Sequence, residues 1–262
     1  MKIYKVIHQI YLQSMSAVPK ELRKYMKINR KLNPDWLYEF WNEARIVELM
    51  KEHGYYDTYK EFIYMHQKID FAKYVILYYY GGIYIDCDAY CLKPLNKLIE
   101  ENIKYDLILS KLNCNIMENY LHCNHHYCVN NGIIYAKPKN KLLKKLIDTI
   151  VSKHHCVDNI SKMVCIEQTT GPTRLTDIIV EHLDDTVKLL DPEYLEPCIL
   201  DICHTTKNTY VVHKHNGTWF SPQTKQFFTF YMNYKNPIYA LLIVIAIVIV
   251  MVILYYKGYI YN

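Results

Sequence analysis

The chain has 262 residues, 51% of them hydrophobic and 22% charged, with a net charge of +5. That length supports one good-sized core in one or two domains, and the composition excludes a disordered or fibrous chain. No basic–aromatic stripe accompanies the modest charge, so nucleic acid is not an expected partner.

The chain opens directly on a strand pattern, Met1-Lys2-Ile3-Tyr4-Lys5-Val6-Ile7-His8, without a secretory signal. Its nine cysteines are irregularly spaced. Together these features predict reduced thiols in a cytosolic setting. Residues 3–12 read as a first strand and the loop after it. Residues 19–32 carry Leu22, Tyr25, Met26 and Ile28 at near-helical spacing, and Asn33-Pro34 ends that helix. Trp36, Tyr38 and Phe40 alternate in a second strand, and residues 44–52 form a helix stopping at His53-Gly54. Residues 59–80 predict one long, central, apolar helix ended by Gly81-Gly82. Strands are expected at 83–85, 107–110 and 132–136, and helices at 142–153 and 173–182. This alternation predicts an open α/β sheet, in which ligands bind outside the carboxyl ends of the strands.

Residues 238–256 form an uncharged apolar run of 19 residues. As a helix it spans about 28 Å, close to a bilayer core of about 30 Å. Tyr239 stands at one end and Tyr255 and Tyr256 at the other, like interfacial belts. The organisation expected is a catalytic domain over 1–220, a juxtamembrane linker over 221–237, a transmembrane helix over 238–256 and a short tail over 257–262. The soluble part is expected on the cytosolic side of this single-pass C-terminal anchor. One reason is the sequon Asn216-Gly217-Thr218, where a glycan would obstruct the site assigned below. A second sequon is Asn159-Ile160-Ser161, and Lys225, Lys235 and Lys257 around the span do not decide its direction.

The most informative stretch is Tyr79-Tyr80-Gly81-Gly82-Ile83-Tyr84-Ile85-Asp86-Cys87-Asp88. Two carboxylates at the end of a buried strand are costly unless they face a cleft and hold a cation. Hard divalent cations take carboxylate oxygens together with substrate phosphates, so Asp86 and Asp88 point to a metal–diphosphate, such as a nucleotide-sugar.

Other segments accompany it in a fixed order. Ile7-His8-Gln9-Ile10-Tyr11, Asn33-Pro34-Asp35-Trp36 and Trp41 come first, then Asp70-Phe71-Ala72-Lys73-Tyr74. Lys93-Pro94-Leu95, Asn131-Gly132, Thr170-Gly171-Pro172 and His213-Lys214-His215-Asn216-Gly217-Thr218-Trp219 follow. Over roughly residues 3–220 the chain resembles the Asp-x-Asp sugar-binding glycosyltransferases of family 32. Initiating α-1,6-mannosyltransferases and mannosyl-inositol-phosphoceramide synthases belong to that family, and the clostridial glucosylating toxins are distant relatives. The resemblance implies a GT-A-type fold, an open mixed sheet flanked by helices. It also implies a nucleotide-sugar donor, expected as GDP-mannose or a UDP-hexose, Mn²⁺ or Mg²⁺, and transfer with retention. The acceptor expected is a glycan or a lipid-linked one such as inositol phosphoceramide, because the anchor would place the site near the bilayer.

Residue roles follow from the same resemblance. Asp88 matches the direct metal ligand and Asp86 the acid near the donor ribose and sugar. Asp70 and Lys73 match an Asp-x-x-Arg that holds donor hydroxyls and phosphate, with Lys lacking the planar fork of Arg. Tyr11 stands where an aromatic stacks on the base, and Gly82 belongs to the substrate-binding block. His213 matches a further metal ligand. Thr218 replaces a Ser, and Trp219 keeps the Trp beside the diphosphate. His215 stands where many members have an aromatic residue. His8 and Gln9 are expected to satisfy buried backbone.

A catalytically decayed, membrane-tethered binding module is the alternative, prompted by Lys73 and Thr218. Cys114, His122, Cys123, His125, His126 and Cys128 are crowded enough to raise a zinc site, but they lack a Cys-x-x-Cys pair and read as a variable loop. Lys137, Lys139, Lys141, Lys144 and Lys145 read as a solvated face, with contact to anionic lipid as the minority reading.

Overall fold

The computed structural model describes residues 2–199, 202–215 and 222–260. They fall into two compact units, Met1–Asn216 and Gly217–Asn262.

The first unit begins with β1 (Val6–Ile10) and a 3-10 turn at Met15–Ala17. Helix α1 (Lys20–Leu32) ends at Asn33, where the following proline disfavours helical backbone. After β2 (Leu37–Trp41), the Asn42 side chain caps α2 (Glu43–Glu52) by accepting the Arg45 N–H at 3.0 Å. The single helix expected over 59–80 is two helices, α3 (Tyr56–Glu61) and α4 (Met65–Tyr80). Phe62 turns to extended backbone between them and packs on Phe71, with ring centroids 5.4 Å apart. Gln67 then accepts the Tyr64 N–H at 3.1 Å and starts α4.

The chain continues through β3 (Gly82–Ile85), β4 (Ala89–Cys91), α5 (Asn96–Glu101) and β5 (Leu107–Ser110). Next come α6 (Ile116–Cys123), β6 (Ile133–Ala136), α7 (Lys141–Ser152), α8 (Lys162–Thr169) and α9 (Pro172–His182). The unit closes with β7 (Val187–Leu190), α10 (Pro192–Leu195), β8 (Cys198–Ile199), β9 (Ile202–Cys203) and β10 (Val211–His213).

Six strands make one mixed sheet in the order β2-β1-β3-β6-β5-β7. β2, β1 and β3 are parallel, β6 runs antiparallel to β3 and β5, and β5 and β7 are parallel. Strand alternation sorts the core onto the two faces. Tyr84, Leu107, Leu109, Ile134 and Ala136 meet α4, α7 and α9 on one side. Ile83, Ile85, Ile108, Ile133 and Tyr135 meet residues of α5 and α10 on the other. This is the GT-A arrangement of an open mixed sheet flanked by helices. From β1 the chain crosses to β2 on one side and later to β3 on the other. The carboxyl ends of β1 and β3 therefore border a topological switch point, where α/β sheets bind ligands.

The second unit contains α11 (Pro222–Ile260). The stretch expected as a juxtamembrane linker is helical from Pro222, and Pro237 lies inside the helix. Asn233–Ile253 is long and apolar enough to cross a membrane.

The expectation of nine reduced thiols needs correction. Disulfides join Cys123 to Cys128, Cys156 to Cys165 and Cys198 to Cys203. Irregular spacing concealed them because each pair is closed by local folding, across a loop end or a short hairpin. In the crowded segment, His125 turns to Asp177 at 2.9 Å and His126 to Tyr120, so these histidines point to different partners.

Candidate active site

The site grows from the carboxyl end of β3. The Asp86 N–H donates to Gly132 O at 2.8 Å, and the Ala89 N–H donates back to Asp86 O at 3.0 Å. Asp-Cys-Asp is thereby bent into a tight turn that leads into β4. Strand β10 pairs antiparallel with β4 and sets His213 opposite Ala89. The Lys214 N–H donates to Asp88 O at 3.1 Å and continues the pairing. A histidine 125 positions beyond Asp88 in the chain is thus brought beside both acids by sheet register.

His213 Nε2 lies 3.2 Å from Asp88 Oδ1 and 3.6 Å from Asp86 Oδ2. One ligand atom from each of the three residues falls within 4.8 Å of the others. Gly132 makes room for them: a Cβ there would stand 2.4 Å from His213 Cε1 and 2.7 Å from Asp86 Oδ2. Two carboxylates and an imidazole converging at one point are a donor set that fits a divalent cation.

Behind His213 lies Glu196, whose side chain is 0% exposed. It is the residue after α10, with its N–H on Pro192 O at 2.7 Å. Glu196 Oε1 accepts from His213 Nδ1 at 3.0 Å and Oε2 from His215 Nε2 at 2.8 Å. Burial alone would lower the His213 pKa and raise that of Glu196. Their mutual attraction outweighs this, so His213 is held well above the ordinary histidine value and Glu196 below the ordinary carboxylate value.

Beneath the acids runs a buried network from α4. Lys73 Nζ lies 2.8 Å from Asp70 Oδ1, donates to Asn131 O at 3.1 Å and stands 3.9 Å from Asp86 Oδ1. Asn131 donates to Asp70 at 3.0 Å, and Tyr84 donates its hydroxyl to Asp86 at 2.6 Å. Burial pushes the Asp70 pKa up to about 6 against the pull of Lys73. Burial also works to lower the Lys73 pKa, but Asp70 and Asp86 outweigh it and hold the ammonium above its ordinary value. At neutral pH the pair is ionic.

The structure thus gathers Asp86, Asp88, His213, Asp70 and Lys73. Tyr11 follows β1 on the same sheet edge, half-buried, with its N–H on Trp41 O at 3.0 Å. Gly82 is placed apart, at the amino end of β3. Its φ is +97°, and a Cβ would meet Val6 O at 2.5 Å, so close strand packing demands glycine there. Thr218 and Trp219 lie outside the described residues.

Residues 19–104, which contain Asp70, Lys73 and both acids, match the family model described as a glycosyltransferase sugar-binding region containing a DXD motif. Over that region the chain is similar to the DXD glycosyltransferases of family 32.

An uncharacterized glycosyltransferase, L373, of Acanthamoeba polyphaga mimivirus is 29% identical to this enzyme over 88% of the chain and 89% of its own length. The mannosyl phosphorylinositol ceramide synthase SUR1 of Saccharomyces cerevisiae is 26% identical over 73% of the chain. The chain spans only 47% of that yeast protein. Mouse xyloside xylosyltransferase 1, in its apo form, superposes with a TM-score of 0.48 at 11% identity, covering 81% of the chain and 98% of its own.

Sequence reasoning missed Glu196, Tyr84 and the bridging role of Asn131. Asn131-Gly132 stood out as a motif, but nothing in its spacing pointed to a contact with Asp70. Glu196 carried no signal at all, being one acid in a short irregular stretch.

Proposed function

We propose that this glycosyltransferase moves a hexose, mannose favoured, from a GDP- or UDP-sugar to a glycan or lipid-linked acceptor, with retention. The observation that carries the reading is the convergence of Asp86, Asp88 and His213 within 4.8 Å at the switch point of the sheet. The carboxylates suit a hard cation, and the imidazole leans the set toward Mn²⁺ over Mg²⁺. A cation bound there supplies Lewis-acid stabilisation of the charge that develops on a departing nucleoside diphosphate.

The chain's own residues do the rest by position. Lys73 fixes Asp70 and Asp86 relative to each other, so that both carboxylates meet the donor in one geometry. Tyr11 offers an aromatic ring at the end of β1 for the base. The acceptor hydroxyl attacks from the face the diphosphate leaves, and the departing phosphate oxygen takes its proton.

The apolar helix α11 supports membrane attachment, and the named activity of SUR1 supports an inositol phosphoceramide-type acceptor. Disulfides persist in oxidising compartments. The three cysteine pairs therefore favour a catalytic unit facing away from the cytosol, opposite to the sequence expectation. Alkylation of the denatured, unreduced chain should then label three of the nine cysteines. Labelling of all nine would return the unit to the cytosolic side.

The central test is nucleotide-sugar hydrolysis with and without Mn²⁺, in wild type and Asp88→Ala. Activity should need both the ion and Asp88. Equal rates in every arm would remove the reading.

A further inference from the structure

We propose that Glu196 is a positioning residue that makes Nε2 the cation-facing nitrogen of His213 and ties His215 to the same anchor. The inference rests on the cation reading given above. A carboxylate only accepts hydrogen bonds, so the 3.0 Å contact to His213 Nδ1 requires the proton to sit on that nitrogen. The other nitrogen, Nε2, is then the one turned toward Asp88 and Asp86. Histidine ligands to metals are commonly fixed this way, with the second ring nitrogen donating to a carboxylate.

Four further observations bear on it. Glu196 is fully buried, and burying a charge is unfavourable unless it is paired well. Each of its oxygens meets a different histidine, at 3.0 and 2.8 Å. The two rings stack with centroids 3.9 Å apart, so one carboxylate sets the tilt of both. His215 takes φ 47°, in the left-handed region. Its bond to Glu196 offsets that strain at the point where the chain runs on toward Thr218 and Trp219.

The test uses the full chain in detergent and follows free Mn²⁺ by electron paramagnetic resonance, without turnover. Glu196→Gln keeps the shape but loses the charge and one acceptor oxygen. It should weaken Mn²⁺ binding about 10- to 100-fold while Asp88→Ala abolishes it. If Asp88→Ala abolishes binding and Glu196→Gln leaves it within about twofold, Glu196 has no positioning role and the cation reading stands. If neither variant changes binding, the cation reading itself fails and takes this inference with it.

Should Glu196→Gln not fold, wild type decides. In Mg²⁺-loaded protein labelled with ¹⁵N-histidine, trace Mn²⁺ broadens most the ring nearest the ion. That ring should carry its proton on Nδ1, with Nε2 bare. A proton on Nε2 would overturn the proposal.

Discussion

Two buried histidines show how partners, rather than burial, separate a structural group from a candidate metal ligand. His8 on β1 is 1% exposed and His213 on β10 is 5% exposed. His8 donates from Nε2 to Gly81 O at 2.8 Å and accepts at Nδ1 from the Trp41 indole at 3.1 Å. Those partners leave no place for a second proton, and burial takes its pKa down to about 4. The neighbouring Gln9 closes its own account in the same way, donating to the backbone of Ile85 and Asp86 and accepting from Tyr38. His213 instead meets Glu196, Asp88 and Asp86, all acids. One corner is neutral and satisfied from within. The other concentrates charge behind an edge where Asp86 and Asp88 remain partly exposed.

The sharpest way to break this comparison is to remove one group from each corner. Asp88→Ala should lose Mn²⁺ binding and lower turnover about a thousandfold, since a lost Lewis acid is worth several kcal/mol. Its urea midpoint should change little. His8→Phe should do the reverse. It strands the Trp41 N–H and the Gly81 carbonyl at about 1–3 kcal/mol each, with Mn²⁺ affinity kept. If His8→Phe loses the ion, or Asp88→Ala unfolds the chain, the distinction fails.

What could be read from the chain was what local signals encode. Alternation and short apolar runs gave β1, β2, β3, β5 and β6, Gly81-Gly82 gave the end of α4, and two acids after a strand pointed to the edge proposed here as the catalytic one. The break at Phe62 was hidden because the apolar pattern runs through both helices, and tertiary packing on Phe71 decided it. Helical backbone through 222–236 was unexpected because polar residues there interrupt the apolar pattern. His213 was placed by family likeness, but its partner Glu196 was out of reach. The contact depends on β10 pairing with β4 across more than a hundred residues, and no spacing records it. Gly82 shows the converse: it lies inside the diagnostic block, yet its Cβ-free position serves strand packing.

The Asp70–Lys73 pair lies between the two corners in character, buried like His8 and charged like His213. Lys73→Met should therefore affect both fold and function. It leaves Asp70 without its cation, and breaking a buried pair costs about 3–5 kcal/mol. A lysine that mattered only to the donor would leave thermal unfolding unchanged. The double variant Lys73→Met/Asp70→Asn should recover much of the stability while remaining inactive. Recovery of activity along with stability would place this network outside the donor site.

The smallest effect expected is in pH dependence, and it separates the histidines by sign. The unfolded His8 ring takes its proton near 6.5 and the folded one only near 4. Between those values the unfolded state binds more protons, so this contribution is present above pH 6.5 and declines as pH falls toward 4. The full difference is about 3 kcal/mol. Asp70 runs the other way in the same window: its folded pKa of about 6 against 3.8 makes stability fall as pH rises between them. Wild-type curves alone would mix the two, so the informative quantity is the difference between wild type and His8→Phe. That difference should shrink as pH drops from 6.5 to 4. His213 is raised by its acids, so its contribution is complete below pH 6.5 and is lost only as pH rises through its folded value. A wild-type-minus-variant difference that stays flat across the acid range would mean that His8 already carries a proton in the fold, and that its corner is no more neutral than the site beside it.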